Sequence, residues 1–317
     1  MTTPPKRGFR AFGTGRFRLP GLTGFDQSQR SWAKAIRSIS EVPQAYASFF
    51  ESLLTLDSPF PVTVLTPSYE GFLHSEAERM VCAMPEELAI LTPRSTGLDV
   101  VRYPYAGAEY VELHIVLLDG HLKFAGTESG GAHTTTVIRF NAVTDYLFTP
   151  IVNQIRRGGQ PPGPMGDGHD ADIFLGWVKS NYKFMNYARR SLLGDEAIRH
   201  AFLQSEIRVR VASALGRTYS RPVAPTLATI LTDQELILIR EALVRRNQDR
   251  YGGIWDYVRL KAIESVEIAE TGRGHLRLSI GLHGGAPLEF LYEPSARQDL
   301  EGLVQELHGL RIVGIEA

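Results

Sequence analysis

Two stretches of this chain read almost alike: "GHLKFAGTESGGA" from Gly120 and "GHLRLSIGLHGGA" from Gly274. Short matches arise easily, so what matters is whether others occur in the same order with offsets that drift only through loops. They do. Ser52-Leu53-Leu54 recurs as Ser191-Leu192-Leu193, Glu87-Leu88-Ala89-Ile90 resembles Glu235-Leu236-Ile237-Leu238, and "EYVEL" from Glu109 pairs with "ESVEI" from Glu264 at an offset of 155. Beyond the glycine pairs, Ile138-Arg139-Phe140 matches Phe290-Leu291-Tyr292, and Ile151 to Ile155 matches Leu303 to Leu307. A chain with this order of landmarks folds as a doubled unit. The second copy is the longer one, its extra residues falling mainly in "SALGRTYSRPVAP" and "REALVRRNQDRYGG", where surface loops absorb insertions.

Within each copy, apolar and polar residues alternate, as in "VELHIVL" and "HLRLSIGL", a period that suits strands with one wet face. Gly130-Gly131 and Gly284-Gly285 sit between such runs, where a hairpin needs positive φ, and their equal spacing from "GHL" predicts equal strand lengths. Each copy ends on a helical stripe: Leu300, Leu303, Val304 and Leu307 in the second, and Val143, Tyr146, Leu147, Ile151 and Ile155 in the first, where Pro150 predicts a bend or a fresh start. Helix is also predicted ahead of each copy, in "DQSQRSWAKAIRSI" and "YASFFESLL", and in "DADIFLGWVKSNYKFMNYARRSLL".

The domain reading is therefore a basic tail over 1–25, a helix and first unit over 26–157, a Pro/Gly linker over 158–170, and a helix and second unit over 171–313. In "GGQPPGPMGDG", eight of eleven residues are Gly or Pro, which favours neither helix nor ladder bonding. The sequence thus predicts two bodies, each with its own interior, joined by a loose hinge.

"PYAGAEYVELHIVLLDGHLKF" and "VRLKAIESVEIAETGRGHLRL" resemble the bacterial pleckstrin-homology-like (PH-like) and GRAM-like domains, over roughly residues 60 to 157 and 195 to 310. The resemblance implies an α+β, mainly β fold: two tandem PH-like antiparallel half-barrels, each closed by a C-terminal helix, with additional N-terminal and inter-domain helices. It also implies a binding or assembly module. Some PH-like domains grip anionic head groups with basic residues in hairpin loops, and here that role would fall to Arg245, Arg246 and Arg250 of the second copy.

Residue chemistry narrows the function. Lys plus Arg total 34 against 35 for Asp plus Glu, a formal net charge of -1 that argues against a nucleic-acid partner. Cys82 is the single cysteine and reads as a small buried side chain of a cytosolic protein, and no segment is apolar for long enough to cross a bilayer. "GDGHDAD" offers Asp167, His169, Asp170 and Asp172, whose acids are better placed to cap the helix that follows than to hold a metal. His121 and His275 occupy matching places, as do Glu112 and Glu267. Such doubling predicts shared packing for the histidines, and for the glutamates a wet face or a basic partner across the sheet. There is no "GxSxG" elbow, "HExxH" helix or cysteine cluster, so neither a catalytic residue, a cofactor nor a metal is expected.

The leading expectation is a non-enzymatic adaptor whose open sheet edges hold another protein or a further copy of itself. An alternative is peripheral attachment to anionic lipid through Lys6, Arg7, Arg10, Arg16 and Arg18 together with Arg245, Arg246 and Arg250. A third is a small-molecule site or enzyme in the groove between the two units.

Overall fold

The computed structural model describes residues 32–52, 59–70, 75–163, 169–214, 217–242 and 251–313. The first part of the chain runs β1 (Lys34–Ile36), α1 (Ala47–Glu51), β2 (Val62–Thr66), β3 (Tyr69–Glu70), β4 (Ser75–Glu76), β5 (Arg79–Ala83), β6 (Glu87–Arg94) and β7 (Gly97–Pro104). After a 3-10 turn, Tyr105–Gly107, come β8 (Ala108–Val116), β9 (Asp119–Thr127), β10 (His133–Asn141) and the helix α2 (Thr149–Arg156).

The later part follows the same plan. A 3-10 segment, His169–Trp177, leads into α3 (Val178–Ser191), then β11 (Ile198–Gln204), β12 (Ile207–Ala214), β13 (Arg217–Ala224), β14 (Leu227–Thr232), β15 (Glu235–Arg240) and β16 (Gly253–Arg259). A second 3-10 turn, Leu260–Ala262, precedes β17 (Ile263–Glu270), β18 (Leu276–Leu282), β19 (Leu288–Tyr292) and α4 (Arg297–Val313). The fold is mainly β, with antiparallel sheets and helices at its faces. Part of the second copy's extra length forms the β12–β13 hairpin, in the place that the short β3–β4 hairpin holds in the first.

Local chemistry accounts for these elements. Leu227 to Thr232 and Glu235 to Arg240 are near-continuous apolar runs because both faces of β14 and β15 are covered. Gly131 and Gly284 take φ of 84° and 82°, as the hairpins require. Pro150 stands in the first turn of α2, after a separate 3-10 segment, Ala142–Leu147, so the helix starts afresh there.

Two expectations about elements are corrected. Lys34–Ile36 is a strand, not helix: it pairs Ala35 with Val64 along the edge of β2, and three residues bonded to a sheet outweigh a weak helical period. The strands after the matching turns are unequal, β9 having 9 residues and β18 having 7, because Leu117-Leu118 alone turn the first hairpin whereas Thr271 to His275 turn the second.

The largest correction concerns the two bodies. One seven-stranded sheet runs β10-β9-β8-β16-β15-β14-β11, so three strands of the first copy and four of the second form a continuous ladder. Its joint is the antiparallel pairing of β8 with β16, from Gly253 opposite Ile115 to Val258 opposite Tyr110. The two faces of this sheet feed different interiors. Val111, Phe124, Ile230, Ile237 and Tyr257 enter a core shared with β2, β5, β6, α2 and α3, whereas Tyr110, Ala125, Leu236, Leu238 and Val258 enter one shared with β17 to β19 and α4. A third, smaller core under α1 holds Tyr46, Phe50, Met80, Cys82 and Leu91. Strand alternation thus sends neighbouring residues to opposite interiors, and neither copy buries its apolar residues alone.

The start of the predicted linker is also tied down. Gly158 and Gly159 donate to the carbonyls of Ile155 and Gln154 at 2.9 Å, ending α2, and the Gly163 amide donates to Asp195 Oδ2 at 2.9 Å.

Candidate functional site

The joint between the copies carries a row of charged and polar side chains on one face of the sheet. Tyr110, Glu112 and His114 alternate along one face of β8, His121 and Lys123 lie on the same face of β9, and Asp256 of β16 and Arg240 of β15 complete the row from across the joint. Arg240 donates to Glu112 Oε2 at 3.0 Å and to Asp256 Oδ2 at 3.1 Å, linking residues 128 positions apart. His121 Nε2 lies 3.0 Å from Glu112 Oε1, and the rings of His114 and His121 stack with centroids 4.4 Å apart. Lys123 Nζ stands 5.2 Å from the Tyr110 ring centre.

Burial and charge pull these groups in different directions. Burial alone would raise the Glu112 carboxyl, but the hydrogen bond from His121 and the charges of Arg240 and Lys123 outweigh it and bring it down to about 2. Burial pushes Asp256 up to about 7 against the pull of Arg240, with Glu112 adding to the rise. Burial, assisted by His121, holds His114 below the ordinary imidazole value. One guanidinium thus serves two carboxylates of unequal acidity.

Glu112, Lys123, Arg240 and Asp256 line a groove of about 490 Å³ together with Pro287 to Leu291 of the second copy. Among the described residues, Glu112, His114 and His121 bring three donor atoms within 4.8 Å of one another, a His/His/carboxylate set of the kind zinc accepts. The neighbouring cations Arg240 and Lys123 oppose a divalent ion there, and Glu112 is already bonded to Arg240 and His121.

A second charged group bolts the copies together from inside. Arg156 of α2 is buried, donates from Nε to Glu235 Oε1 at 2.9 Å and from Nη2 to the Ser191 carbonyl at 2.6 Å, and lies 4.0 Å over the Tyr257 ring. Glu196 is buried beside it, and burial, together with the charge of Glu235, pushes its carboxyl up to about 9. Arg156 belongs to the first copy and its carboxylates to the second.

The positions singled out in sequence fare unevenly. Arg245, Arg246, Arg250, Lys6, Arg7, Arg10, Arg16 and Arg18 lie outside the described residues, as does Asp167. The matched histidines share a buried, unpartnered Nδ1 but differ in the rest of their surroundings: His121 stands in β9 with Nε2 bonded to Glu112, whereas His275 sits in the β17–β18 turn. The matched glutamates part as well, Glu112 taking its basic partner across the sheet and Glu267 standing exposed on β17. Arg240, Asp256 and Arg156 escaped the sequence reading. Their only signal was a charge inside an apolar run, as in "LILIRE" and "GIWDYV". Comparison of the sequence with protein-family models and with curated proteins finds no match to either.

Proposed function

We propose that the protein is a non-enzymatic binding and assembly module built from two PH-like units, and that it holds its partners by adding strands at open sheet edges. The order of elements supports the two units. Each copy supplies four meander strands (β2, β5, β6, β7 and β11, β14, β15, β16), a 3-10 turn, three more strands and a closing helix. The observation that carries the binding mode is the joint itself: the two copies meet edge to edge, β8 on β16, through backbone pairing that depends little on side-chain identity. A protein that joins its own halves by strand addition has edges of a kind suited to adding another strand.

Proline at outward-facing edge positions tests the reading, because it removes a backbone donor that no internal ladder uses. Full-length wild type and a Val100→Pro, Ile268→Pro double variant are immobilised and exposed to an extract of the source cells and to the chain itself. The reading expects bound protein on the wild type and at least about tenfold less on the variant. Equal capture by a folded variant, or capture of nothing by either, would overturn it.

A further inference from the structure

The doubling of the chain makes the internal joint a template. Tyr105–Gly107 and Leu260–Ala262 are matching 3-10 turns, and at their offset of 155 the counterpart of β16 is β7, while the counterpart of β8 is β17. The internal joint uses β8 and β16. It leaves β7 and β17, the same two kinds of edge, at opposite ends of the repeat. Among the described residues, β7 has one ladder partner, β6, and β17 has one, β18.

Both edges face outward with their backbone groups. The Tyr105 amide bonds the Glu86 carbonyl, which fixes the β6–β7 phase and turns the backbone groups of Leu98, Val100 and Arg102 away from β6. The Thr271 amide bonds the His275 carbonyl, which likewise turns Val266, Ile268 and Glu270 away from β18. One of these groups is already taken: the Ser129 amide donates to the Arg102 carbonyl at 2.9 Å. The free stretch of β7 is therefore Gly97 to Val101.

The side chains differ as a vacant and a filled joint should. In the first copy Val111 is 2% exposed and Leu113 packs on the shared core, with Tyr257 and Trp255 opposite them on β16. Their counterparts Val266 and Ile268 are only partly buried and, among the described residues, have a strand on one side alone, β18. Val100, the counterpart of Trp255, is half-buried and apolar, as is Leu98.

Resting on the binding-module reading above, we infer that a second copy of this chain fills the vacant edge: β17 of one molecule pairs antiparallel with β7 of the next over Leu98 to Val101, repeating the Gly253 to Asp256 part of the β8–β16 joint. The internal register, Trp255 opposite Leu113 and Ile254 opposite His114, carries over as Val100 opposite Ile268 and Asp99 opposite Ala269. Because the two surfaces are different, the contact is head-to-tail. It closes as a ring or runs on as a filament, and it does not stop at a twofold dimer.

Two measurements on the full-length chain test this. Sedimentation velocity from about 1 to 200 µM should show wild type growing beyond a dimer as concentration rises, with Val100→Pro or Ile268→Pro alone raising the concentration needed at least about tenfold. Engineered thiols read the register: oxidising a mixture of Asp99→Cys and Ala269→Cys chains should give a covalent mixed dimer, and either variant alone should give little. A wild type that stays monomeric throughout, association indifferent to both prolines, or Asp99→Cys chains that cross-link to each other as well as to Ala269→Cys chains would each overturn the inference. If the chain is monomeric and yet the proline variants lose another protein that the wild type captures, the second copy is excluded as occupant while the binding-module reading stands.

Discussion

Leu117 shows what a single residue contributes to the shape of an edge. It turns the β8–β9 hairpin at φ 56°, a conformation in which a side chain's Cβ crowds the backbone, and it stands 67% exposed with Leu118 beside it. Packing gives little in return, so Leu117→Gly should raise stability by about 1 kcal/mol, read as a shift in the chemical-denaturation midpoint. Arg156 is the opposite case. Replacing it by Ala strands the buried Glu235 carboxylate, and a loss of about 3–5 kcal/mol is expected. Titration separates two further residues by sign. Glu112 is held at about 2 against an ordinary value near 4.5, so its contribution is present above that value and lost as pH falls from 4.5 towards 2. Glu112→Gln should flatten that acid limb. Glu196 is pushed to about 9, so the folded chain keeps a proton that the unfolded chain releases, and stability falls as pH rises from 4.5 to 9. Glu196→Gln should remove that slope, making the variant the more stable of the two at pH 9 relative to pH 5.

Among the elements, those legible in the sequence are the ones whose partners are close in the chain. The alternation of "VELHIVL", the glycine turns and the stripe of Leu300, Leu303 and Leu307 specify hairpins and a closing helix from neighbours a few residues away. The β8–β16 joint was not legible. It pairs edges from opposite copies, and an edge strand has the same alternating pattern whether it meets solvent or another strand. Nor could Glu112 be matched with Arg240, because their contact exists only once that joint has formed. Gly252 marks the joint in retrospect. It takes φ 87° at the entry to β16, and a Cβ there would collide with the Ile115 carbonyl of β8. Gly252→Ala should therefore cost about 1–3 kcal/mol from backbone strain alone, read as a fall in the melting temperature.

At the scale of the whole molecule, the doubled sequence invites a picture of two beads on a string, and the shared core replaces it. Val111 and Phe124 of the first copy lie in one apolar cluster with Ile230, Ile237 and Tyr257 of the second, so unfolding one copy exposes the other. Calorimetry should accordingly show a single transition, with calorimetric and van't Hoff enthalpies in agreement, where independent bodies would melt in two. The same economy bears on association: with the internal joint filled, one edge of each kind remains unpaired among the described residues. The most direct test of the central claim, that strand addition at β8 and β16 makes the two copies one body, is native-state hydrogen exchange. The amides of Val111, Leu113, Trp255 and Tyr257 are predicted to exchange as slowly as those of Ile237 and Leu238 at the centre of the sheet. Exchange of those four at the rate of an unpaired edge, while Ile237 and Leu238 stay protected, would contradict it.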